Sequence, residues 1–357
     1  MNTTGANDMT HLRPQSGMTL IELMVALAIG MFLMIGAMTV FMQSRTTFRV
    51  NESVSRMQET ARFALDALEP EIRLAHYWGL TPRTPLIEHY SVQHPNAFHR
   101  LQTDPAVPGL THDCGTNWAV NLDLAVQGTN GSAPWPWTVG TRCGVGGSGV
   151  VQAAADTLVV RRASDNVVAP LAGQLSIIST RGGQLGQIFN TAAQPAGYSA
   201  ATSEVHRLMV SGYYVVQGTA TLQPALRRKV LLQAGNGQVT DEEVIAGVED
   251  MQIQFGIDTD LPSTPAVPNP NRGSIDRYVN PNDPILDPAN AAFNPNAAIL
   301  AVRVWLRVRA ERPENGFTDT TNYVYADQNV APIGDAFRRV VVSKTIFLRN
   351  GLPGPGT

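Results

Sequence analysis

Three aspartates are the residues of this chain whose type and spacing come closest to a metal site. Asp258, Asp260 and Asp276 lie near one another in the sequence, and carboxylate oxygens are the ligands that calcium prefers. No glycine-turned loop of the EF-hand type accompanies them, and aspartates on a protein surface are common without an ion. We therefore keep them as weak calcium candidates and predict no resident metal or cofactor.

The sequence offers no complete set of catalytic residues. Three histidines recur every five residues across a proline, which suits neither one face of a helix nor a zinc site. They are His89, His94 and His99. The loop at 144–149 holds a serine among glycines, but it lacks the last glycine of a nucleophile elbow and the Gly-Lys-Ser/Thr of a phosphate-binding loop. We predict that the protein is not an enzyme.

Short basic runs at 161–162, 227–229 and 338–339 are the candidates for nucleic-acid contact. Arginine and lysine bind phosphates, yet each run falls in a strand-like pattern, where charged side chains more often form a solvated face. The net charge of −3 also differs from that of a basic nucleic-acid-binding domain. Nucleic acid is therefore an unexpected partner, and DNA binding stays a minor alternative.

One carboxylate lies in an unusual place, inside a long apolar run. Residues 18–42 contain a single charged side chain, Glu22, and about 20 apolar residues cross a membrane as a helix. The flank before the run is weakly charged and the small residue Gly17 precedes the run, which is unlike a secretory signal peptide. A carboxylate inside a membrane span is costly, so Glu22 is a candidate functional residue.

The residues around this carboxylate resemble the class III signal of type IV prepilins and pseudopilins. The sequence SGMTLIEL at 16–23 places a glycine directly before the apolar run and a glutamate as the fifth residue after it. The resemblance implies a leader at 1–17, cleavage between Gly17 and Met18 by a membrane prepilin peptidase, and N-methylation of Met18. Phenylalanine is the commoner residue at that new terminus. An ordinary membrane anchor with an incidental glutamate is the alternative.

Cleavage would give the charge of Glu22 a partner. The new α-ammonium group at Met18 lies about one helical turn from the carboxylate. In a filament, the same ammonium on a neighbouring helix would offset the buried charge. We therefore predict that Glu22 is an assembly and docking residue, and a carboxyl group that stays neutral in lipid is the alternative.

A second pattern predicts that the helix continues beyond the membrane span. Apolar residues recur at intervals of three and four from Val50 to Ile72, which is the pattern of one buried stripe. Pro70 is expected to kink or end the helix. We predict a transmembrane and assembly helix at 18–42, which continues as an amphipathic helix at 43–78 into a globular head.

From residue 79 to 357 the sequence changes to short strand-like runs separated by turn-rich loops. In the clearest run, 301–309, valine and leucine alternate with arginine and tryptophan, so one face is buried and the other is solvated. We predict an α+β fold in which an antiparallel sheet packs on the helix, the lollipop shape of type IV pilins. A proline-rich stretch around 260–296 is predicted as a surface insertion. The other runs are 157–162, 175–180, 208–216, 225–232, 251–257 and 340–348.

Cys114 and Cys143 are the two cysteines of the chain. Their spacing is unlike that of zinc or redox motifs, and a chain that leaves the cytoplasm enters a compartment in which disulfides persist. We predict one disulfide between them. Two unrelated buried thiols are the alternative.

Three segments towards the C-terminus resemble the PilW family of minor pilins. They are GVEDMQIQFGIDTD at 247–260, AVRVWLRVR at 301–309 and FRRVVVSKTIFLRN at 337–350. The family implies a low-copy subunit that primes type IV pilus assembly, lies at or near the tip and supports adhesion and twitching motility. The implied partners are other minor pilins, the major pilin, the prepilin peptidase and the inner-membrane assembly platform, with a pilus-tip adhesin as a further candidate.

The resemblance also implies where the protein is found. It would be a single-pass inner-membrane protein with its head in the periplasm before assembly, and part of the extracellular pilus afterwards. A large head favours the tip, because no subunit lies above it there. Two alternatives remain: a large pseudopilin of a type II secretion system, which shares the N-terminal signal, and a DNA-uptake receptor at the pilus tip.

Overall fold

The computed structural model describes most of the chain, in two units. The described residues are 17–81, 87–88, 118–131, 150–181, 186–219, 222–233, 238–260, 269–287 and 290–351. The units divide between Ser53 and Val54. The helix α1, Leu20–Arg73, contributes its first part to one unit and its last part to the other.

In the first unit, α1 presents its apolar side chains to the surroundings. Every residue from Gly17 to Arg49 is exposed, and Leu20 and Phe32 are 76% and 77% exposed. The helix is long and apolar enough there to cross a membrane. Because apolar side chains gain free energy when they leave water, this segment requires lipid or other protein around it.

In the second unit, α1 buries one stripe of its surface. The buried apolar residues of the stripe are Met57, Ala61, Ala64, Leu65, Leu68 and Ile72. Their spacing confirms the stripe that the sequence predicts. The helix ends at Arg73, a few residues earlier than predicted. Pro70 lies inside its last turn, where the missing N–H removes only one backbone hydrogen bond.

The larger sheet has eight strands among the described residues, in the order β1-β5-β4-β6-β3-β2, with β7 beside β6 and β8 beside β7. All its pairings are antiparallel except the parallel pair β1 and β5. The 14-residue strand β6 pairs with β3, β4 and β7 along different parts of its length. The strands are β1 (Ile87–Glu88), β2 (Val126–Thr129), β3 (Thr157–Val167), β4 (Ser176–Thr180), β5 (Gly186–Phe189), β6 (Ser203–Val216), β7 (Ala225–Gln233) and β8 (Gln238–Ala246).

The second sheet, which we call the C-terminal sheet, has four antiparallel strands in the part of the chain that the structure describes. Their order is β10-β9-β11-β14. They are β9 (Val248–Asp258), β10 (Arg277–Val279), β11 (Ala298–Arg309) and β14 (Arg339–Phe347). Residues 310–338 join β11 to β14, and we call them the strap. The strap contains the hairpin β12 (Tyr323–Tyr325) and β13 (Gln328–Val330).

The core of the second unit is a cluster of buried apolar side chains from α1 and from both sheets. Val302, Val304, Leu306 and Val308 of β11 are at most 1% exposed. This confirms the buried face predicted for that strand. The opposite face, which was predicted to be solvated, is half-buried, and its Arg307 is buried. Asp156 also links the sheets, because its N–H donates to the Met251 carbonyl at 2.8 Å and its carboxylate accepts from the Ile253 N–H at 2.8 Å.

The α+β fold class predicted from the sequence is confirmed, and each predicted strand-like run coincides with an observed strand to within a few residues. The expected single sheet divides into two sheets. Alternation shows which face of a strand is buried, but it does not show which strands pair. Within the predicted insertion, β10 adds an edge strand beside β9, and residues 261–268 and 288–289 lie outside the described part of the chain.

Candidate functional site

The residues before α1 form a hydrogen-bonded turn that starts the helix. The N–H and the hydroxyl of Thr19 both donate to Glu22 Oε2 at 2.9 Å, and the Glu22 N–H donates to Thr19 Oγ1 at 3.3 Å. A threonine at the N-cap with a glutamate three residues later is a capping box, which satisfies N–H groups that the first helical turn leaves free. Glu22 therefore has a role within its own helix.

This capping role of Glu22 is one that our sequence reasoning missed, although the signal is present. The pattern Thr-x-x-Glu directly before an apolar run is the sequence signature of a capping box. The cap uses one carboxylate oxygen. Glu22 Oε1 accepts no hydrogen bond among the described residues, so this oxygen can serve a charged partner.

The predicted cleavage site lies immediately before this turn. Gly17 and Met18 are both exposed, and a Cβ added to Gly17 would have no atom of the described residues within 4 Å. The described part of the fold therefore does not require glycine at that position. Met18 directly precedes Thr19, so an α-ammonium created at Met18 would lie next to the carboxylate of Glu22. Cleavage and N-methylation at this site stay predictions.

The three aspartates kept as weak calcium candidates come together at the end of β9. Asp258, Asp260 and Asp276 each place one carboxylate oxygen within 4.8 Å of the others. Asp258 accepts hydrogen bonds from the Asp260 N–H at 2.9 Å and from the Gly273 N–H at 2.6 Å. Asp276 accepts from the N–H and the hydroxyl of Thr259 at 2.7 and 2.6 Å.

The chain's own donors and one arginine stabilise this aspartate cluster. Arg272 Nη1 lies 3.4 Å from Asp258 Oδ1 and donates to the Asp260 carbonyl at 2.6 Å. The hydrogen bonds from Thr259 hold the pKa of the Asp276 carboxyl below its usual value. These contacts attach the end of β9 to the following loop, and calcium binding stays a prediction.

Several predicted residues lie outside the described part of the chain. Cys114 and Cys143 are among them, so their disulfide stays a prediction. The same is true of the leader up to residue 16, of the loop at 144–149, and of the three histidines. These histidines are His89, His94 and His99.

Five arginines of the basic runs are paired with carboxylates of the same chain. The pairs are Arg162–Glu71, Arg227–Asp241, Arg228–Glu242, Arg338–Glu314 and Arg339–Glu249. The pair between Glu71 on α1 and Arg162 on β3 is buried and bidentate, with N–O distances of 3.2 and 2.7 Å. Because each guanidinium lies beside a carboxylate, these arginines support the fold and do not form a basic surface.

A buried cluster of charges fastens the strap to the C-terminal sheet. Arg339, whose side chain is 1% exposed, donates to both carboxylate oxygens of Glu249 at 2.6 and 3.0 Å. Its Nη1 lies 2.9 Å from Asp319 and 2.7 Å from Asp335, two residues of the strap. A buried guanidinium requires compensating charges, so Arg339 holds two points of the strap, Asp319 and Asp335, against β14.

Arg307 and Tyr325 extend this cluster across the sheet. Arg307 donates to Glu249 Oε2 at 3.1 Å and to the Tyr325 hydroxyl at 3.0 Å. The Tyr325 hydroxyl in turn donates to Asp250, and burial raises the pKa of the Asp250 carboxyl. The hydrogen bonds from Arg339 hold the pKa of Asp335 below its usual value. Alternation along β11 predicts the arginine face, but the acids that pair with it come from distant parts of the chain.

Comparison with known families shows what kind of protein carries these features. The family model described as a prokaryotic N-terminal methylation motif matches residues 12–38. This stretch includes the predicted cleavage site, the capping box and the start of the exposed apolar helix. The N-terminal part of the chain therefore carries a prepilin-type motif.

A second family model, described as type IV pilus-assembly protein W, matches residues 212–350. The matched stretch begins within β6 and ends just after β14, so it includes the C-terminal sheet and the strap. This C-terminal part of the chain is thus similar to the PilW family, as the sequence resemblance predicts.

Among solved structures, a type IV-like pilin from Thermus thermophilus is similar to this chain at 17% sequence identity. The similarity covers 51% of this chain and 86% of that pilin, with a TM-score of 0.23. No curated protein matches this sequence.

Proposed function

We propose that the protein is a minor pilin of a type IV pilus, a low-copy subunit that primes assembly and lies at or near the tip. One observation carries the proposal: a prepilin motif opens an apolar helix whose side chains are exposed, in the same chain as a PilW-matched sheet. Such a helix is stable only when lipid or other helices surround it. The inner membrane before assembly and the bundle of pilin helices after assembly provide these surroundings in turn.

In this proposal, prepilin peptidase removes the leader by cutting between Gly17 and Met18, and Met18 is then N-methylated. Glu22 has two tasks. Its Oε2 caps its own helix, and its Oε1 accepts the α-ammonium of Met18 on a neighbouring pilin. Opposite charges attract strongly in an apolar bundle because the local dielectric constant is low, so this pair favours one register between neighbouring helices.

The size of the head supports a position at the tip. Residues 79–357 include two sheets, the strap and the proline-rich stretch. A pilus shaft repeats one subunit at close spacing, so each protruding loop would meet the next subunit. At the tip there is no subunit above. The partners in this position are other minor pilins, the major pilin and the assembly platform, with a tip adhesin as a further candidate.

The same proposal gives the location of the head. Before assembly the head lies in the periplasm and the first unit crosses the inner membrane; after assembly both belong to the extracellular pilus. Disulfides persist in these oxidising compartments, so a bond between Cys114 and Cys143 is part of the proposal.

Deletion of the gene, with complementation by the wild-type chain, tests the proposal. We expect the deletion strain to lose surface pili and twitching motility. An epitope-tagged chain should restore both and label one end of sheared pili. Normal piliation with impaired protein secretion would instead support the large pseudopilin of a type II system. Normal piliation and motility with impaired DNA uptake would support the receptor alternative, which the internally paired arginines do not favour.

A further inference from the structure

The C-terminal sheet has a second face, opposite the core, that carries polar and aromatic side chains. Arg303, Trp305 and Arg307 of β11 lie on this face, because they alternate with the buried valines and leucine. In the antiparallel pairing with β14, Arg303 is opposite Thr345 and Trp305 is opposite Ser343. We call this side of the sheet the outer face.

At one end of the outer face, the positive charges are compensated within the chain. Arg307, Arg309 and Arg339 lie 3.1, 3.9 and 2.6 Å from carboxylate oxygens of Glu249. The strap adds further carboxylates there. At this end of the outer face, the arginines are therefore already neutralised by carboxylates of the same chain.

At the other end of the outer face, Arg303 has a different environment. Its guanidinium carbon lies 3.7 Å from the ring centre of Tyr278 and 5.7 Å from that of Trp305. Its Nε donates to Thr345 Oγ1 at 3.1 Å. Within the described residues, no carboxylate pairs with Arg303 and its two terminal nitrogens donate no hydrogen bond. The guanidinium is thus held in place with its terminal nitrogens available.

The chemistry of this environment suits a carboxylate. The two terminal nitrogens of arginine donate in parallel to the two oxygens of a carboxylate, and stacking on an aromatic ring fixes the plane of the guanidinium beforehand. The face is half-buried at Arg303, Tyr278 and Trp305, and it continues into the exposed Ser343 and the 61% exposed Phe347.

The composition of the face favours a protein as the partner. Tryptophan, tyrosine and arginine are the residue types that dominate the binding energy of protein interfaces. Sites for small molecules are instead concave, whereas these residues lie on the face of a sheet. An arginine in such a patch, with no carboxylate partner among the described residues, calls for an acidic side chain on the opposing surface.

We propose that Tyr278, Arg303 and Trp305 form a docking surface for an Asp or Glu side chain of another subunit of the pilus assembly. The inference rests on the proposed function, which says in which assembly the partner is found. The geometry of the outer face says that the partner's contacting group is a carboxylate. The partner's carboxylate binds the terminal nitrogens of Arg303, and the flanking aromatic rings exclude water from the pair.

The scarcity of lysine in this chain permits a direct test. Lys229 and Lys344 are its only lysines; Lys229 is buried, and Lys344 already contacts Glu69 and Asp66 of the same chain. An Arg303→Lys variant places a primary amine where the carboxylate is expected to bind. Treatment of intact cells with a water-soluble carbodiimide then joins that amine to a touching carboxylate as an amide, with loss of water.

The matched control is Arg277→Lys, at an arginine of β10 that is 55% exposed and 3.9 Å from Asp283. We expect mass spectrometry to find the lysine of the Arg303→Lys variant bonded to an Asp or Glu of another polypeptide. This product should be several-fold more abundant than any intermolecular product of the control, because zero-length coupling requires direct contact. If Arg303→Lys lowers the melting temperature, a Ser343→Lys variant replaces it in the coupling experiment. Ser343 is exposed and lies opposite Trp305 on the same face.

Three outcomes would overturn the inference. One is the absence of an intermolecular product from both the Arg303→Lys and the Ser343→Lys variants, and another is equal coupling in the Arg277→Lys control. The third is an adduct with the mass of an acidic sugar, which would replace the protein partner by a glycan. The membrane fraction and sheared pili are analysed separately. If deletion of the gene leaves piliation normal, the proposed function fails while the coupling result still decides the chemistry of the outer face.

Discussion

The two halves of α1 contain similar apolar residues and meet opposite surroundings. Leu20 and Phe32 in the first unit are 76% and 77% exposed, whereas Leu68 and Ile72 in the second unit are 0% exposed. The first half is apolar on all sides, and the second half is apolar along one stripe. The arrangement of apolar residues around a helix, more than their number, therefore indicates whether its own chain will cover it.

The polar contacts of the two halves differ in the same way. The capping box joins Thr19 and Glu22 of one turn. In the second half, Glu71 pairs with Arg162 of the larger sheet, and Glu69 contacts Lys344 of the C-terminal sheet at 2.6 Å. Substitutions in the first half should therefore change processing and assembly, while substitutions in the second half should change the free energy of unfolding.

The largest expected effect is on processing. A Gly17→Val substitution should leave almost all of the protein as uncut precursor, because a side chain would crowd the scissile bond in the peptidase. Among the described residues, a Cβ at this position meets no atom within 4 Å, so the melting temperature of the second unit should stay unchanged. Immunoblotting of membranes and thermal unfolding of the detergent-solubilised protein measure the two effects. Mature-length protein in this variant would contradict the prepilin interpretation.

The next effect is on stability, at the buried pair between α1 and β3. Glu71→Ala leaves the guanidinium of Arg162 buried without its carboxylate, which should lower the free energy of unfolding by about 3–5 kcal/mol. The matched control is Glu311→Ala, because the pair Arg56–Glu311 is 3.8 Å long with side chains 66% and 54% exposed. An exposed pair contributes about 0–1 kcal/mol. Equal losses in urea unfolding of the two variants would contradict the role assigned to Glu71.

A third prediction concerns the turn after α1. Gly79 has a φ of +82°, and a Cβ there would lie 2.7 Å from Ser179 Oγ and 2.8 Å from His206 Cδ2. Gly79→Ala should therefore cost about 3 kcal/mol, from backbone strain and from overlap. Gly316 has a φ of +80°, and a Cβ there would have no described atom within 4 Å, so Gly316→Ala should cost about 1 kcal/mol from strain alone. Similar melting temperatures for both variants would show that the packing around Gly79 adapts.

The fourth prediction returns to the first half of α1. Because glutamine also completes a capping box, Glu22→Gln removes the charge and keeps the cap, while Thr19→Ala weakens the cap and keeps the charge. We expect Glu22→Gln to be cleaved normally and to be depleted about tenfold from sheared pili, since the neighbour's ammonium loses its partner in a low-dielectric bundle. Thr19→Ala should be recovered nearly as well as wild type. Depletion of Thr19→Ala alone would assign Glu22 to capping only.

The smallest effect is a response of the strap to acid. The hydrogen bonds from Arg339 hold the pKa of Asp335 below its usual value, so this contribution to stability is present above the unfolded pKa of about 3.9 and is lost as the pH falls through the lower folded value. Hydrogen-exchange protection of the strap should stay constant from about pH 7 to pH 5 and fall only below about pH 4. Asp335→Asn should lower protection at neutral pH and flatten this dependence. A fall in the hydrogen-exchange protection of the wild-type strap near pH 6 would indicate that another group titrates there.

How much of this structure the sequence predicts depends on how local each feature is. The long helix, its buried stripe and the alternation of β11 follow from periodicity within one segment. The capping box is equally local, since Thr19 and Glu22 are three residues apart. These features can be predicted because the geometry of a single helix or strand determines which of its side chains interact or share a face.

The rest depends on contacts between distant segments. Glu249 pairs with Arg339 across 90 residues and Glu71 pairs with Arg162 across 91, and no local pattern matches an acid with its base. The division into two sheets has the same origin, because strand pairing is decided by the whole chain. The aspartate cluster lies between these two cases. Residue type and nearness in the sequence indicate its three aspartates, but no local pattern indicates the contact of Arg272 with Asp258.

The continuity of α1 has a mechanical consequence. Under the proposed function, tension applied to the first unit of a loaded pilus enters the second unit through the helix that both units share. The tension then acts as shear between the buried stripe of α1 and the sheets. The pair Glu71–Arg162 transmits part of it to the larger sheet, and the pair Glu69–Lys344 transmits part to the C-terminal sheet. A helix held by both sheets shares the load, so the head would resist pulling along α1 better than peeling at the free edge of either sheet.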